Sequence, residues 1–261
     1  MTFNIEQNGV PLVIVKNDSN KNKKSETEIF LTDSKSNNEN EVKYPLEEID
    51  LKKNEYFQPI PNYDTERQIL YITGASGSGK SYYSKNYINE FKKIYPKREI
   101  FLLSSLKDDK SLDDIKGLNR INIWDDEFLE DEITAEDFKD CLVIFDDTDC
   151  ITNKKIKNKV NSILNSVLET GRHFNVYVIY TSHLPCAGND TKRILNESHS
   201  ITLFPNSLGG RSLKYLLESY MGLDKKQIEK IKNLDSRWVT ILKTYPQVVI
   251  SEKDLKLVKK L

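Results

Sequence analysis

The eight residues Gly74-Ala75-Ser76-Gly77-Ser78-Gly79-Lys80-Ser81 constrain this chain more than any other segment. An apolar run at residues 69–73 enters them, and a helical stripe of Tyr83, Tyr87, Ile88, Phe91 and Ile94 leaves them. A strand must therefore turn into a helix through a short, glycine-rich loop. Glycine accepts positive φ and lets backbone N–H groups converge on an anion. A helix opening near Lys80 adds the positive end of its dipole. The spacing GxxxxGK[ST] predicts a nucleotide site lined by Gly74, Ala75, Ser76, Gly77, Ser78, Gly79, Lys80, Ser81 and Tyr82. Lys80 is expected on the β- and γ-phosphates and the Ser81 hydroxyl on Mg²⁺.

Further apolar runs at residues 99–104, 121–124, 141–145, 176–181 and 201–204 read as strands. Several are apolar on both faces, as strands covered by helices on each side must be. Ile156, Val160, Ile163, Leu164, Val167 and Leu168 form a helical stripe, with Gly171 where a left-handed cap belongs. This alternation predicts an α/β fold, a mainly parallel sheet flanked by helices, with a core at 67–205 inside an ATPase domain at 63–261. The extension at 206–261 reads as two helices and then a β-hairpin around Tyr245-Pro246. Residues 1–62 form an N-terminal extension. Within it Pro11 points to an edge strand or isolated β piece at 10–15. Residues 16–40 are low-complexity, broken only by Ile29-Phe30-Leu31, and are expected to be looped or disordered.

A second element is Cys141-Leu142-Val143-Ile144-Phe145-Asp146-Asp147, an apolar strand ending in acids. That is the Walker B arrangement to the Walker A loop above: Asp146 holds Mg²⁺ and Asp147 polarises the attacking water. The bland alternative is a strand stopping at a polar turn, with Asp147 or Asp149 capping the next helix. A third element is Arg172, just before the strand at 176–181, with His183 just after it. An arginine at a sheet edge can enter a neighbouring subunit's site, where it contributes about 10³–10⁵ in phosphoryl-transfer rate. His183 would lie near the γ-phosphate as a sensor. The alternatives are a salt bridge for Arg172 and an ordinary turn for His183. The candidate catalytic set is Lys80, Asp146, Asp147, Arg172 and His183, with Ser81 and Asp146 as metal ligands.

Composition excludes other classes. Three cysteines without CxxC spacing and three histidines argue against a disulfide framework or a zinc site, and fit a reducing compartment. The sequence offers neither a transmembrane run of about 18 apolar residues nor an N-terminal secretory pattern. A GTPase needs NKxD, which Asn153-Lys154-Lys155-Ile156 fails; Ser207-Leu208-Gly209-Gly210-Arg211 comes too late for an ABC signature; and no arginine-rich kinase lid is evident. Residues 107–150 carry sixteen acids against five bases, and residues 211–261 carry twelve bases against six acids. The basic region suits either a phosphate backbone or a solvated helical surface.

Taken in order, GASGSGKS, LVIFDDTD and ETGRHFNVYVIYTSHLP resemble the poxvirus-type DNA-packaging ATPases of large double-stranded DNA viruses, within the FtsK–HerA superfamily of P-loop ATPases. The resemblance runs from about residue 67 to residue 204 and includes ILNESHSITLF. It implies a RecA/FtsK-like ATPase using ATP and Mg²⁺, in a hexameric or pentameric ring that moves double-stranded DNA into a capsid. Arg172 then corresponds to the superfamily's arginine finger. The sequence departs from the family in carrying His183 where Gln is usual and Asp147 where Glu is common. A capsid or portal partner, no membrane, and a host-cytoplasmic viral factory or virion location are further implications. Lys154, Lys155, Lys157 and Lys159 face either a DNA pore or plain solvent. Two other readings compete: a helicase or DNA-replication ATPase, and a non-catalytic scaffold that only binds ATP.

Overall fold

Four strands precede the glycine-rich loop: β1 (Thr2–Asn4), β2 (Val10–Asn17), β3 (Thr27–Thr32) and β4 (Glu55–Pro59). They form an antiparallel sheet in the order β1-β3-β2-β4. The computed structural model describes residues 1–17, 26–32, 44–47, 49–65 and 67–260. Two expectations change here. Strand β2 is interior, not an edge. Pro11 is tolerated because pairing with β4 begins only at Val13↔Pro59, and the pairing with β3 is irregular between Pro11 and Val13. Ile29, Phe30 and Leu31, within the segment expected to be looped, are buried in β3 between two partner strands. Residues 18–25 and 33–40 of that segment lie outside the described residues.

A second sheet has nine strands. At its middle β5 (Ile69–Thr73) is buried along its whole length. On one side follow β9 (Tyr177–Ser182), β8 (Leu142–Asp146), β6 (Ile100–Ser104) and β7 (Leu118–Arg120), all parallel. On the other side β10 (Ser200–Leu203) is parallel to β5. Then β11 (Val239–Leu242), β12 (Val248–Ser251) and β13 (Leu255–Leu257) continue the sheet antiparallel. The expected hairpin is therefore present as β11 and β12, but it is fused to the parallel sheet and lengthened by a third strand. The fold is mixed α/β.

Alternation along the strands explains the layers. In β5, Leu70 and Ile72 face α1 (Lys80–Ile94) and α2 (Lys110–Asp113), packing with Tyr83, Tyr87, Phe91 and Leu112. Ile69 and Tyr71 face the opposite layer. That layer holds α3 (Asp126–Glu130), α4 (Lys154–Thr170), α5 (Asn189–Glu197), α6 (Gly210–Ser219) and α7 (Lys225–Lys232). Strand β8 divides the same way, with Leu142 and Ile144 on one face and Val143 and Phe145 on the other. Each such side chain contributes about 1.5–3 kcal/mol on burial. The four-stranded sheet buries Phe3, Val13, Ile29 and Phe57 against Val248, Ile250, Leu255 and Leu257, so one apolar cluster joins the two ends of the chain. Among the described residues no helix is long and apolar enough to cross a membrane.

Two local expectations also change. The strand expected at 121–124 is β7, three residues earlier. Its ladder ends when Ile121 donates to the Leu102 carbonyl, and the Asn122 side chain then accepts from Trp124 N and turns the chain. Gly171 is right-handed, at φ −59°, not a left-handed cap. A Cβ there would stand 2.3 Å from the Val167 carbonyl oxygen and 3.0 Å from Arg67 Nη1, so close approach requires the glycine. The buried Arg67 guanidinium donates to the Val167 and Leu168 carbonyls at 2.7 and 2.9 Å, binding the α4 terminus to the start of β5. Arg67→Met leaves both carbonyls without these donors. We expect a stability loss of about 2–4 kcal/mol by urea unfolding, and a fall in melting temperature of about 5–10 °C.

Candidate functional site

Strand β5 runs directly into the loop at residues 74–79, where Gly74 N donates to the Ser182 carbonyl of β9 at 3.1 Å. A Cβ on Gly74 would lie 2.5 Å from Ser78 Oγ and 2.9 Å from the Phe204 ring, so only glycine passes here. Gly79 precedes α1 at φ 114°, a left-handed conformation that favours glycine, and supplies no side-chain cap. The first N–H groups of α1 thus lack a side-chain acceptor from its N-cap, as an anion site requires. Ser76 and Gly77 are exposed, Ser81 is half-buried and Tyr82 is exposed. Ala75 N donates to Ser207 Oγ at 3.3 Å, fastening the loop to the segment after β10.

Lys80 is the first residue of α1 and is buried. Its Nζ donates to the Gly74 carbonyl at 3.0 Å, and stands 3.5 Å from Asp147 Oδ1 and 3.5 Å from His183 Nδ1. His183 Nε2 is 2.8 Å from Asp147 Oδ2. A neutral imidazole donating to Asp147 from Nε2 leaves Nδ1 to accept from Lys80. Lys80, Asp147 and His183 therefore form one polar cluster.

Asp146 ends β8 in a buried position between two hydroxyls. Ser104 Oγ donates to its Oδ2 at 3.0 Å and Thr181 Oγ1 to its Oδ1 at 2.9 Å. Burial, and then the neighbouring Asp147 carboxylate, push the Asp146 carboxyl up to about 6, and the two hydroxyls oppose that rise. Asp147 turns left-handed at φ 47°, with its N–H held by Thr181 Oγ1 at 2.9 Å. Asp149 accepts from Ser182 Oγ at 2.7 Å, while its Oδ1 is buried without a partner. Neither Asp147 nor Asp149 caps α4. Asn153 does so, accepting from Lys155 N and Ile156 N.

Arg172 lies elsewhere. It is exposed in the turn between α4 and β9, at the end of β9 remote from His183. At about 3.3 Å per residue the strand separates the two by roughly 20 Å. Arg172 lines a surface cavity of about 540 Å³ with Asp64, Thr65, Arg67, Glu197 and His199. The structure thus brings Lys80, Asp146, Asp147 and His183 to one edge of the sheet and leaves Arg172 on the other. Lys154 and Lys155 are exposed, whereas Lys157 donates to the Asp149 carbonyl and Lys159 to that of Asp131.

Sequence reasoning missed Ser104, Thr181 and Ser182. Their trace is a hydroxyl at the last positions of two apolar runs, FLLSS and VIYTS, which flank the acidic strand. The donor set fits a triphosphate with Mg²⁺. Buried Thr73 Oγ1 and Ser78 Oγ bound the loop without partners, and Ser81 and Asp146 carry oxygens of the hard type that Mg²⁺ takes. Among the described residues no three His, Cys, Asp or Glu gather into a metal cage. Mg²⁺ bound with a nucleotide takes its other oxygens from phosphate and water, so none is needed.

No family model matches the chain. The uncharacterized protein V3 of Sputnik virophage is 44% identical over 222 residues, covering 82% of this chain and 88% of V3. The pCW3 conjugation coupling protein TcpA, solved as a monomer with ATPγS, has a TM-score of 0.51 at 10% identity over 97% of this chain and 68% of TcpA, a likeness of fold. The genome packaging NTPase B204 of Sulfolobus turreted icosahedral virus 2, in complex with AMPPCP, has a TM-score of 0.47 at 15% identity, over 72% of this chain and 98% of B204.

Thr181→Val should test the carboxylate geometry. It removes a donor from buried Asp146 and an acceptor from Asp147 N, so the nucleotide-free protein should lose about 1–3 kcal/mol in urea unfolding. Thr181→Ser, which restores the hydroxyl, should recover most of it.

Proposed function

The chain belongs to the family of protein V3 of Sputnik virophage, and from the site that it carries we propose that it is an ATP-hydrolysing motor subunit moving double-stranded DNA in viral genome packaging. One observation carries this reading: a GxxxxGKS loop whose lysine stands 3.5 Å from the acid that follows the β8 strand, with His183 beside both. The mixed α/β fold shared with a coupling protein solved with ATPγS supports it. The order of the three motifs favours packaging within that class.

In this reading the loop N–H groups and Lys80 bind the phosphates, with Lys80 exchanging the Gly74 carbonyl and Asp147 for phosphate oxygens. Ser81 and Asp146 would hold Mg²⁺, which would neutralise phosphate charge. Asp147, released from Lys80 and held by His183, orients the attacking water. The water oxygen bonds to the γ-phosphorus as the bond to the β–γ bridging oxygen breaks, and the water's proton passes by way of Asp147 to the released phosphate, giving ADP and inorganic phosphate. His183 senses the change through its bond to Asp147. Arg172 is remote from its own loop, which is what action on a neighbour's site in a ring demands.

Lys80→Ala should abolish Mg²⁺-dependent ATP hydrolysis, and retained turnover would remove the assignment. Arg172→Ala should bind ATP normally yet hydrolyse it about 10³-fold more slowly. Mixed with Lys80→Ala it should regain partial activity, and no recovery at any ratio would exclude action in trans. ATPase rates with no DNA, single-stranded DNA and duplex DNA separate the motor from its rivals. Duplex stimulation fits the motor, single-strand stimulation a helicase or replication ATPase, and binding without turnover a scaffold.

A further inference from the structure

The site contains a cation that the three motifs do not include. Arg237 lies two residues before β11, far along the chain from the loop. Sheet register returns it there. Val239 is opposite Leu203 of β10, and Leu203 is opposite Thr73, the last residue of β5 before the loop. The segment entering β11 must therefore pass the edge where residues 74–79 turn into α1.

The contacts agree. A Cβ built on Gly79 would stand 3.7 Å from Arg237 Nη2. The turn carrying Arg237 is fixed on both sides. Ser236 Oγ donates to the Trp238 carbonyl at 2.7 Å and accepts from Glu252 N at 3.1 Å, and Trp238 packs edge-on against Tyr83 of α1, with ring centroids 5.1 Å apart. The guanidinium itself is exposed and takes no ion pair among the described residues. A cation carried over the positive end of a helix, with Lys80 buried just beyond, is better placed when an anion lies between them. The planar fork of arginine suits phosphate oxygens.

The geometry points to Arg237 as a phosphate-binding residue of the same chain's nucleotide site, closing over the loop from the side opposite the acids and gripping the β-phosphate. This rests on the nucleotide reading above and adds to it a residue from the C-terminal extension. In this arrangement one nucleotide touches cations of both classes: Lys80 and Arg237 in cis, Arg172 in trans.

The test is equilibrium binding of AMP, ADP and ATPγS, with Mg²⁺, to full-length wild type, Arg237→Ala and Arg237→Lys. Arg237→Ala should raise the Kd for ADP and ATPγS about tenfold or more and leave AMP within about threefold, as loss of a charge-assisted hydrogen bond requires. Arg237→Lys should recover part of the loss. Because the side chain is exposed and unpaired, the nucleotide-free variants should melt with the wild type, which separates a binding defect from misfolding. Unchanged Kd values in Arg237→Ala overturn the assignment, as does an equal loss for AMP, which would put the guanidinium on the α-phosphate or the nucleoside and not on the β-phosphate. Wild-type protein that binds none of the three removes the nucleotide site itself, a distinct failure that takes this assignment with it.

Discussion

Level strand ends, set by parallel pairing, are the constraint on which the rest depends. Thr73 is opposite Ser182 and Leu203, and Ser104 is opposite Asp146. Because these strands stop together, the glycine-rich turn, two acids and three hydroxyls meet at one edge although they come from widely separated parts of the chain. A slip of one residue in β8 would exchange its two faces, turning Val143 and Phe145 toward α1 and taking Asp146 away from Ser104 and Thr181. The two-sided apolar core therefore enforces the chemistry. It does so through burial, which is strong, and not through polar contacts, which are individually weak.

At the edge so built, Lys80 has partners from the chain itself, which bears on how a nucleotide would enter. Lys80 is already engaged by the Gly74 carbonyl, Asp147 and His183. A phosphate must replace those partners, so part of its attraction to Lys80 is offset by what Lys80 gives up. Buried Asp146 presses the same way. Removal from water, and then the Asp147 carboxylate, raise its carboxyl to about 6, against the Ser104 and Thr181 hydroxyls, which favour the charged form. A cation arriving with the phosphates addresses both costs together, so a nucleotide and its metal should bind this edge far better jointly than separately.

Much of this was legible in sequence because spacing and periodicity are local. The turn at 74–81 sits between a five-residue apolar run and a helical stripe, and the strand ending in Asp146-Asp147 is apolar on both faces. What escaped reading depends on contacts distant in sequence. Ile29-Phe30-Leu31 is too short to display a period, and only its two partner strands make it β3. Gly171 matches a helix stop, but the demand on it comes from the Arg67 guanidinium packed against it. The bond from His183 to Asp147 joins two strand ends whose residue types carry no mutual signature. Arg237 shares the loop's edge only through two successive register steps across β10.

The extensions at the two ends of the chain are therefore part of the site's architecture. Phe204, directly after β10, packs against the positions where Gly74 and Gly79 would carry a Cβ, so it forms the floor of the loop. Trp238, just before β11, packs against Tyr83 and the α1 face on one side. On the other it packs against the cluster that joins the N-terminal sheet to β12 and β13. One indole is thus shared between the helix that begins with Lys80 and the apolar seam joining both chain ends. Close-packed interiors do not absorb displacements of an ångström without rearrangement elsewhere. A shift of α1 on its glycine-rich loop must therefore be met at Trp238, and from there by the strands that carry Arg237 and the N-terminal sheet.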